Sequence, residues 1–244
     1  MPRFKRSVMK AKKRKDSFAG PLTALVIFAL AMALLEAAVV VYLRYIAYPD
    51  GFSFPLRAFP DDLLTTELWR ELATLLMLLG IAWMFGRSWT SRLAGFLMAF
   101  AVWDLGYYLF LWLLLDWPSS LLTWDLLFLI PAPWTGPVLA PVIHSLTMIA
   151  MGAGLMSRAA MQKKDARAFW IFNLIGSLIA IATYLWPWTA HMLETYPLER
   201  ILSMEHDVVF SAHALNFVPT AFPWIPFLIG ESLFVLAVLR VYRR

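Results

Sequence analysis

Long apolar runs separated by polar or turn-forming stretches dominate the chain. Six runs approach or exceed the roughly 20 residues that an α-helix needs to cross about 30 Å of hydrocarbon. They cover about 21–46, 68–86, 93–115, 137–157, 168–187 and 223–240. The short alternating segments typical of membrane β-barrels are absent from the sequence. The pattern therefore predicts an all-α integral membrane protein, a bundle of about six transmembrane helices.

Composition supports the same class. Hydrophobic residues make up 61% of the chain and charged residues 15%, whereas soluble domains are usually about half apolar. The first apolar run is too long for the hydrophobic region of a signal peptide, so we expect it to remain as the first span. The sequence thus divides into a basic tail, 1–19, and a single polytopic transmembrane domain, 20–244.

The placement of lysine and arginine predicts the orientation. Positively charged residues are retained on the cytoplasmic side of membrane proteins. With the N-terminus inside, 17 of the 21 lysines and arginines fall in cytoplasmic segments. We therefore expect both termini to be cytoplasmic, in a multi-pass protein of the plasma (cytoplasmic or inner) membrane.

The basic tail carries more charge than orientation requires. Its eight lysines and arginines could bind anionic lipid headgroups, at about 1 kcal/mol for each basic residue near the surface, or a partner membrane subunit. The net charge of +5 does not indicate a nucleic-acid partner, because the basic residues follow the predicted topology.

The predicted outer connections are long and contain many aromatic and proline residues. They cover 47–67, 116–136 and 188–222, with an apolar centre in the second that is too short to span a membrane. Irregular backbone at membrane depth persists only where protein or a wet cavity covers it. We expect 116–136 to form a re-entrant or interfacial segment.

Ionisable residues inside the predicted spans are the first candidates for function. Such side chains cost about 2.5–3.5 kcal/mol on the insertion scale, so they usually face the bundle interior. Together with nearby polar residues they form a candidate intramembrane polar site: Glu36, Arg70, Glu71, Asp104, Tyr108, His144 and Glu231. These side chains could converge on one polar interior site. The simpler alternative is that they only hydrogen-bond neighbouring helices.

Two expectations about individual contacts follow. Glu36 shares a helix face with Ala29, Ala33 and Ala37, and such stripes of small residues bring helices together, so it should face protein. Arg70 is the expected cationic partner of Glu36 or of Asp104. Glu67 reads as a residue at the start of a helix, paired with Arg70 at i, i+3 spacing.

A second candidate site lies at the predicted outer surface, formed by His191, His206, Asp207 and His213. Asp125 falls in the same outward-facing group. On one helix His206 and His213 would be about 10 Å apart, too far to bind one ion without bending. A hydrated surface, a metal, haem or acid–base site, and a docking surface for a partner protein all remain open.

Neither cofactors nor catalytic residues can be assigned. The chain has no cysteine, which excludes cysteine-ligated cofactors, and it lacks Glu-x-x-His pairs and the stronger catalytic motifs. The preferred hypothesis is a binding or translocation unit, or a respiratory-type membrane subunit, with buried carboxylates near mid-membrane. The alternatives are a membrane enzyme or metal- or haem-binding protein at the outer boundary, and a structural or assembly subunit.

Overall fold

A computed structural model describes residues 3–157, 163–203 and 207–243, with side chains from residue 19 onward except at 163. Its elements, in chain order, are α1 (Arg3–Ala47), α2 (Asp61–Phe85), α3 (Trp89–Leu115), β1 (Trp124–Phe128), β2 (Trp134–Pro137), α4 (Leu139–Ser157), α5 (Lys163–Leu193), α6 (Leu198–Ile201), α7 (Val208–Leu215) and α8 (Trp224–Tyr242).

Within these ranges, six helices are long and apolar enough to cross a membrane: α1 from Ala19, α2, α3, α4, α5 from Lys164, and α8. This confirms the predicted number of apolar helices. Several helices extend beyond the predicted runs, because polar turns continue a helix that hydropathy alone would end, whereas α4 begins at Leu139, two residues later than predicted. The second helix begins at Asp61 rather than near 68, and the fifth continues through Pro187 to Leu193.

Helix α3 is the centre of the bundle. It packs against α1 and α2 on one side and against α4 on the other, and α4 in turn packs against α8, which packs against α5. Small residues allow the closest approaches: a Cβ on Gly106 of α3 would come within 2.8 Å of the Ala33 Cβ on α1, and one on Gly176 of α5 within 3.2 Å of the Gly230 carbonyl on α8. The expected protein-facing stripe of α1 is present, since Ala29, Ala33 and Ala37 are fully buried.

Contacts between helix termini define one end of the bundle. Arg240 near the end of α8 pairs with Asp165 near the start of α5 at 3.6 Å. Gly152 near the end of α4 lies against Ala94 near the start of α3. We call this the basic end, because Arg87 lies in the turn between α2 and α3, and Arg92, Lys164, Arg167 and Arg240 lie near helix termini here.

The opposite end, which we call the hairpin end, carries the antiparallel pair β1–β2. The hairpin enters the bundle: both carboxyl oxygens of Glu71 accept the Leu129 N–H at 3.0 Å, and Phe128 packs on Trp103 with ring centroids 6.1 Å apart. Glu71 is ten residues into α2, about 15 Å at 1.5 Å per residue. The segment expected to be re-entrant or interfacial is therefore a two-stranded addition to the all-α bundle.

Candidate functional site

A histidine and a carboxyl group meet between α4 and α8. The Nδ1 atom of His144 lies 2.5 Å from Oε1 of Glu231. Thr147, one turn later on α4, donates from its hydroxyl to Oε2 of the same carboxyl at 3.0 Å. The ring of Phe234 packs edge-on against the imidazole at 4.8 Å. Glu231 is thus buried and held by an imidazole and a hydroxyl.

The residue after His144 reaches the opposite neighbour of α4. The Ser145 hydroxyl donates to Oδ2 of Asp104 on α3 at 2.8 Å, because successive residues of a helix point about 100° apart. We call Asp104, His144, Ser145, Thr147 and Glu231 the mid-bundle site. Among the described residues, neither of its carboxyl groups forms an ion pair with a lysine or arginine.

A guanidinium organises a second buried cluster between α1 and α2. Arg70 donates from Nη1 to Glu36 and from Nε to Glu67 at 2.7 Å, and the Thr74 hydroxyl donates to Glu36 at 3.3 Å. The expected contact between Arg70 and Glu36 is present. Glu67 is not at the start of its helix as expected: α2 begins at Asp61, so Glu67 lies nearly two turns inside and is buried.

Glu71 belongs to neither cluster. It is buried and its carboxyl accepts the Leu129 N–H in the connection between β1 and β2. That backbone group has no strand partner in the β1–β2 register, and an unsatisfied buried N–H costs free energy comparable to a lost hydrogen bond. The contact assigns Glu71 to anchoring the hairpin.

A third cluster joins the hairpin to α1 and α3. Asp125 on β1 pairs with Arg44 at 3.7 Å and accepts a hydrogen bond from the Tyr108 hydroxyl at 3.3 Å. The Arg44 guanidinium lies 3.9 Å from the ring centre of Trp117 and 4.8 Å from that of Phe52. The cation is therefore enclosed by one carboxyl and two aromatic faces.

Burial decides the ionisation of Asp125. The side chain is 3% exposed, and burial raises the pKa of its carboxyl from 3.8 to about 6, against the opposing effect of the Arg44 charge. Hydrogen bonds from the Leu126 backbone and from Tyr108 also favour the ionised form, while Asp104 opposes it. With a pKa of about 6, the Asp125 carboxyl is half protonated slightly below neutral pH.

Sequence reasoning placed Asp125 on the outward-facing surface, and that placement is wrong. The local signal was present, because Asp125 lies between Trp124 and Leu126 in an apolar stretch. Its partners come from 81 and 17 residues away along the chain, so no local pattern could identify them.

Two of the outer-surface candidates meet. The rings of His191 on α5 and His213 on α7 stack with centroids 4.4 Å apart and an interplanar angle of 8°. The Nε2 atom of His191 donates to the His213 carbonyl at 3.0 Å, and that of His213 lies 3.4 Å from the His191 carbonyl. These contacts tie α7 to the end of α5.

The other two outer-surface candidates do not join them. Asp207 is the N-cap of α7, accepts the Phe210 N–H at 2.8 Å and pairs with Arg200 at 3.0 Å. The Phe210 backbone bond, with the Arg200 charge, lowers the pKa of Asp207. His206 lies outside the described residues. In the described ranges, no three histidine or acidic side chains are grouped so that they could hold a metal ion.

The seven intramembrane candidates therefore form separate groups and do not meet in one site. Asp104, His144 and Glu231 meet around α4, and Glu36 meets Arg70 between α1 and α2. Glu71 binds the hairpin connection, and Tyr108 binds Asp125. The central helix α3 stands between the first two groups, which is why they remain apart. Comparisons with protein-family models, with curated proteins and with solved structures found no match to the chain.

Proposed function

We propose that this chain is a multi-pass membrane protein whose mid-bundle site binds and releases protons, as a translocation or respiratory-type membrane unit. The observation that carries the proposal is the kind of partner that each buried carboxyl has. Asp104 is held by a hydroxyl, and Glu231 by an imidazole and a hydroxyl. The carboxyl groups of the other two clusters have a guanidinium partner instead.

The partner determines what a buried carboxyl can do. A fixed guanidinium stays charged at all physiological pH values, so it favours the ionised form of a carboxyl group beside it. A hydroxyl supplies no charge, and an imidazole is charged only when it is protonated. At mid-membrane an unbalanced charge costs about 2.5–3.5 kcal/mol. Proton uptake is therefore how Asp104 and the His144–Glu231 pair avoid that cost.

The hairpin fits a membrane setting. Backbone away from helices is tolerated at membrane depth only where protein covers it. Here the strands pair with each other, Glu71 satisfies the Leu129 N–H, and Thr135 and Asp125 are buried. These contacts support the proposal that 116–136 is re-entrant, entering from the side opposite the termini.

Charge supports the proposed orientation. The basic end carries lysine and arginine residues at or beside the helix termini. Positively charged residues are retained on the cytoplasmic side of membrane proteins. We place the basic end there, with the hairpin end outside. The basic tail would then meet the anionic headgroups of the inner leaflet, which attract such segments.

Single introduced cysteines test the orientation, because the chain has none of its own. Thr90 is exposed at the start of α3, and Ser119 is exposed between α3 and the hairpin. In intact cells a membrane-impermeant maleimide should label Ser119→Cys and leave Thr90→Cys unlabelled. Both should react after detergent permeabilisation, which is the control for thiol reactivity. The opposite pattern would reverse the proposed orientation.

Infrared difference spectroscopy tests proton binding directly. We expect the purified protein to show the carbonyl stretch of protonated carboxyl groups. Asp104→Asn and Glu231→Gln should each remove part of this absorption, because each removes a carboxyl that holds a proton. Asp165→Asn is the matched control, since that carboxyl pairs with Arg240 and should contribute nothing.

The same variants test movement of protons. In vesicles containing a pH-sensitive dye, an imposed potassium diffusion potential should drive proton flux through the wild type and the Asp165→Asn protein. Flux through Glu231→Gln should fall by about a hundred-fold, the lower range for loss of a positioned proton-transfer group. Equal flux in all three proteins, or spectra without any protonated carboxyl, would refute the proposal.

A further inference from the structure

A buried tyrosine lies between the mid-bundle site and the hairpin. Tyr184 on α5 is 6% exposed, and its ring stacks on Trp134 of β2, with centroids 6.1 Å apart and an interplanar angle of 22°. Its hydroxyl has no hydrogen-bond partner within the part of the chain that the structure describes. Buried polar groups nearly always have a partner, and the Tyr184 hydroxyl is an exception to this rule.

The position of Tyr184 connects groups that do not touch each other. The Tyr184 ring packs on Phe227 of α8 with centroids 6.1 Å apart, and Phe227 is one turn before Glu231 of the mid-bundle site. Tyr108 is one turn after Asp104 on α3, and its hydroxyl donates to Asp125 at 3.3 Å. Two buried tyrosines therefore lie near both the mid-bundle site and the hairpin.

The hairpin leaves room for this arrangement. Gly136 pairs with Asp125 across the two strands, so both residues belong to the same face of the hairpin. A Cβ on Gly136 would lie 3.3 Å from the Tyr184 ring and 3.0 Å from the ring of Phe222. A side chain at this position would require Phe222 or Tyr184 to move by a few tenths of an ångström.

We propose that the hydroxyl groups of Tyr184 and Tyr108, with bound water, form a proton route from the mid-bundle site to Asp125 and so to the hairpin end. This inference rests on the proposed function and adds the path to it. In each step a hydroxyl oxygen accepts a proton while releasing its own to the next acceptor, so no group is oxidised and no charge accumulates. Arg44, paired with Asp125 at 3.7 Å, stands at the outer end of the route.

Tyr184→Phe is a clean test of the route. It removes a hydroxyl that has no partner among the described residues and keeps the ring that packs on Trp134 and Phe227. We therefore expect the variant to fold normally. Tyr242→Phe is the matched control, because Tyr242 is at the basic end, where its hydroxyl donates to the Ala150 carbonyl at 3.2 Å.

The measurement is the rate at which the protonated carboxyl absorption shifts after transfer of the purified protein into D₂O. Tyr184→Phe should slow this exchange by about a hundred-fold, as expected when a positioned proton-transfer group is lost, and Tyr242→Phe should leave it unchanged. If the absorption is present but exchanges equally fast in both variants, the route is wrong and proton binding stands. If no protonated carboxyl absorbs at all, the proposed function fails, and the route fails with it.

Discussion

Arg70→Met is expected to destabilise the protein by about 3–5 kcal/mol, the usual cost of removing one partner from a buried ion pair. Arg70 is the cation for Glu36 and Glu67, and it forms hydrogen bonds with both. Without it, two carboxylates stand in the bundle with no balancing charge. The measurement is thermal unfolding of the detergent-purified variant.

The control is Arg57→Met, at an exposed arginine whose side chain donates to the Ala47 carbonyl at 2.8 Å. It should change stability far less, because surface substitutions usually lie within about 0.5 kcal/mol. Adding Glu36→Gln and Glu67→Gln to Arg70→Met should recover much of the lost stability, since the cluster of these three side chains is then neutral. An Arg70→Met protein as stable as Arg57→Met would show that the cluster is not electrostatically balanced as described.

The six apolar helices were predictable because hydropathy is a local property. A run of about 20 apolar residues is sufficient evidence for a helix that could span a membrane, and the alanine stripe of α1 similarly indicated its buried face. Helix ends were less predictable. The first turns of α2, with Asp61, Asp62 and Thr65, are polar, so the apolar pattern begins several residues after the helix does.

The hairpin and its cluster were not predictable. Strand pairing between β1 and β2, and the contacts of Asp125 with Arg44 and Tyr108, join residues from different parts of the chain. Local patterns carry no information about such partners. Tryptophan and proline in 116–136 indicated an irregular segment, but only the tertiary structure shows how deeply it enters the bundle.

The sequence identified polar residues that contact neighbouring elements of the bundle, but it did not show how these residues are grouped. The free-energy cost of an intramembrane charge predicts that the residue has a partner. It does not predict whether that partner carries a permanent charge. Arg70 beside Glu36 and His144 beside Glu231 look alike in the sequence. They differ in chemistry, since a guanidinium keeps its charge and an imidazole is charged only when it is protonated.

The stability of Arg44→Met should depend strongly on pH. In the wild type, burial raises the pKa of Asp125 from 3.8 to about 6, while Arg44 opposes the rise. A raised carboxyl pKa means that the folded state binds the proton more tightly. Asp125 therefore contributes stability at low pH that is lost as pH rises from about 4 to about 6. Without Arg44 the pKa rises further, and the loss extends to higher pH.

Near pH 8 we expect Arg44→Met to be less stable than wild type by about 3–5 kcal/mol, because an ionised Asp125 is then buried without its cation. Near pH 5 most of this deficit should vanish, since Asp125 is protonated in both proteins. A remainder of about 1–2 kcal/mol should persist at every pH, because the guanidinium also packs over Trp117 and Phe52. Unfolding temperatures measured across this range separate the two contributions.

Asp125→Asn supplies the decisive comparison. Alone it should remove the pH dependence assigned to this carboxyl, because an amide does not titrate. Combined with Arg44→Met it should abolish the pH-dependent part of the deficit near pH 8 and leave the pH-independent remainder from the lost aromatic contacts. A deficit of equal size at both pH values, or one that Asp125→Asn fails to relieve, would mean that Arg44 acts through packing alone. The Arg44–Asp125 pair would then have no electrostatic role at the outer end of the proposed proton route.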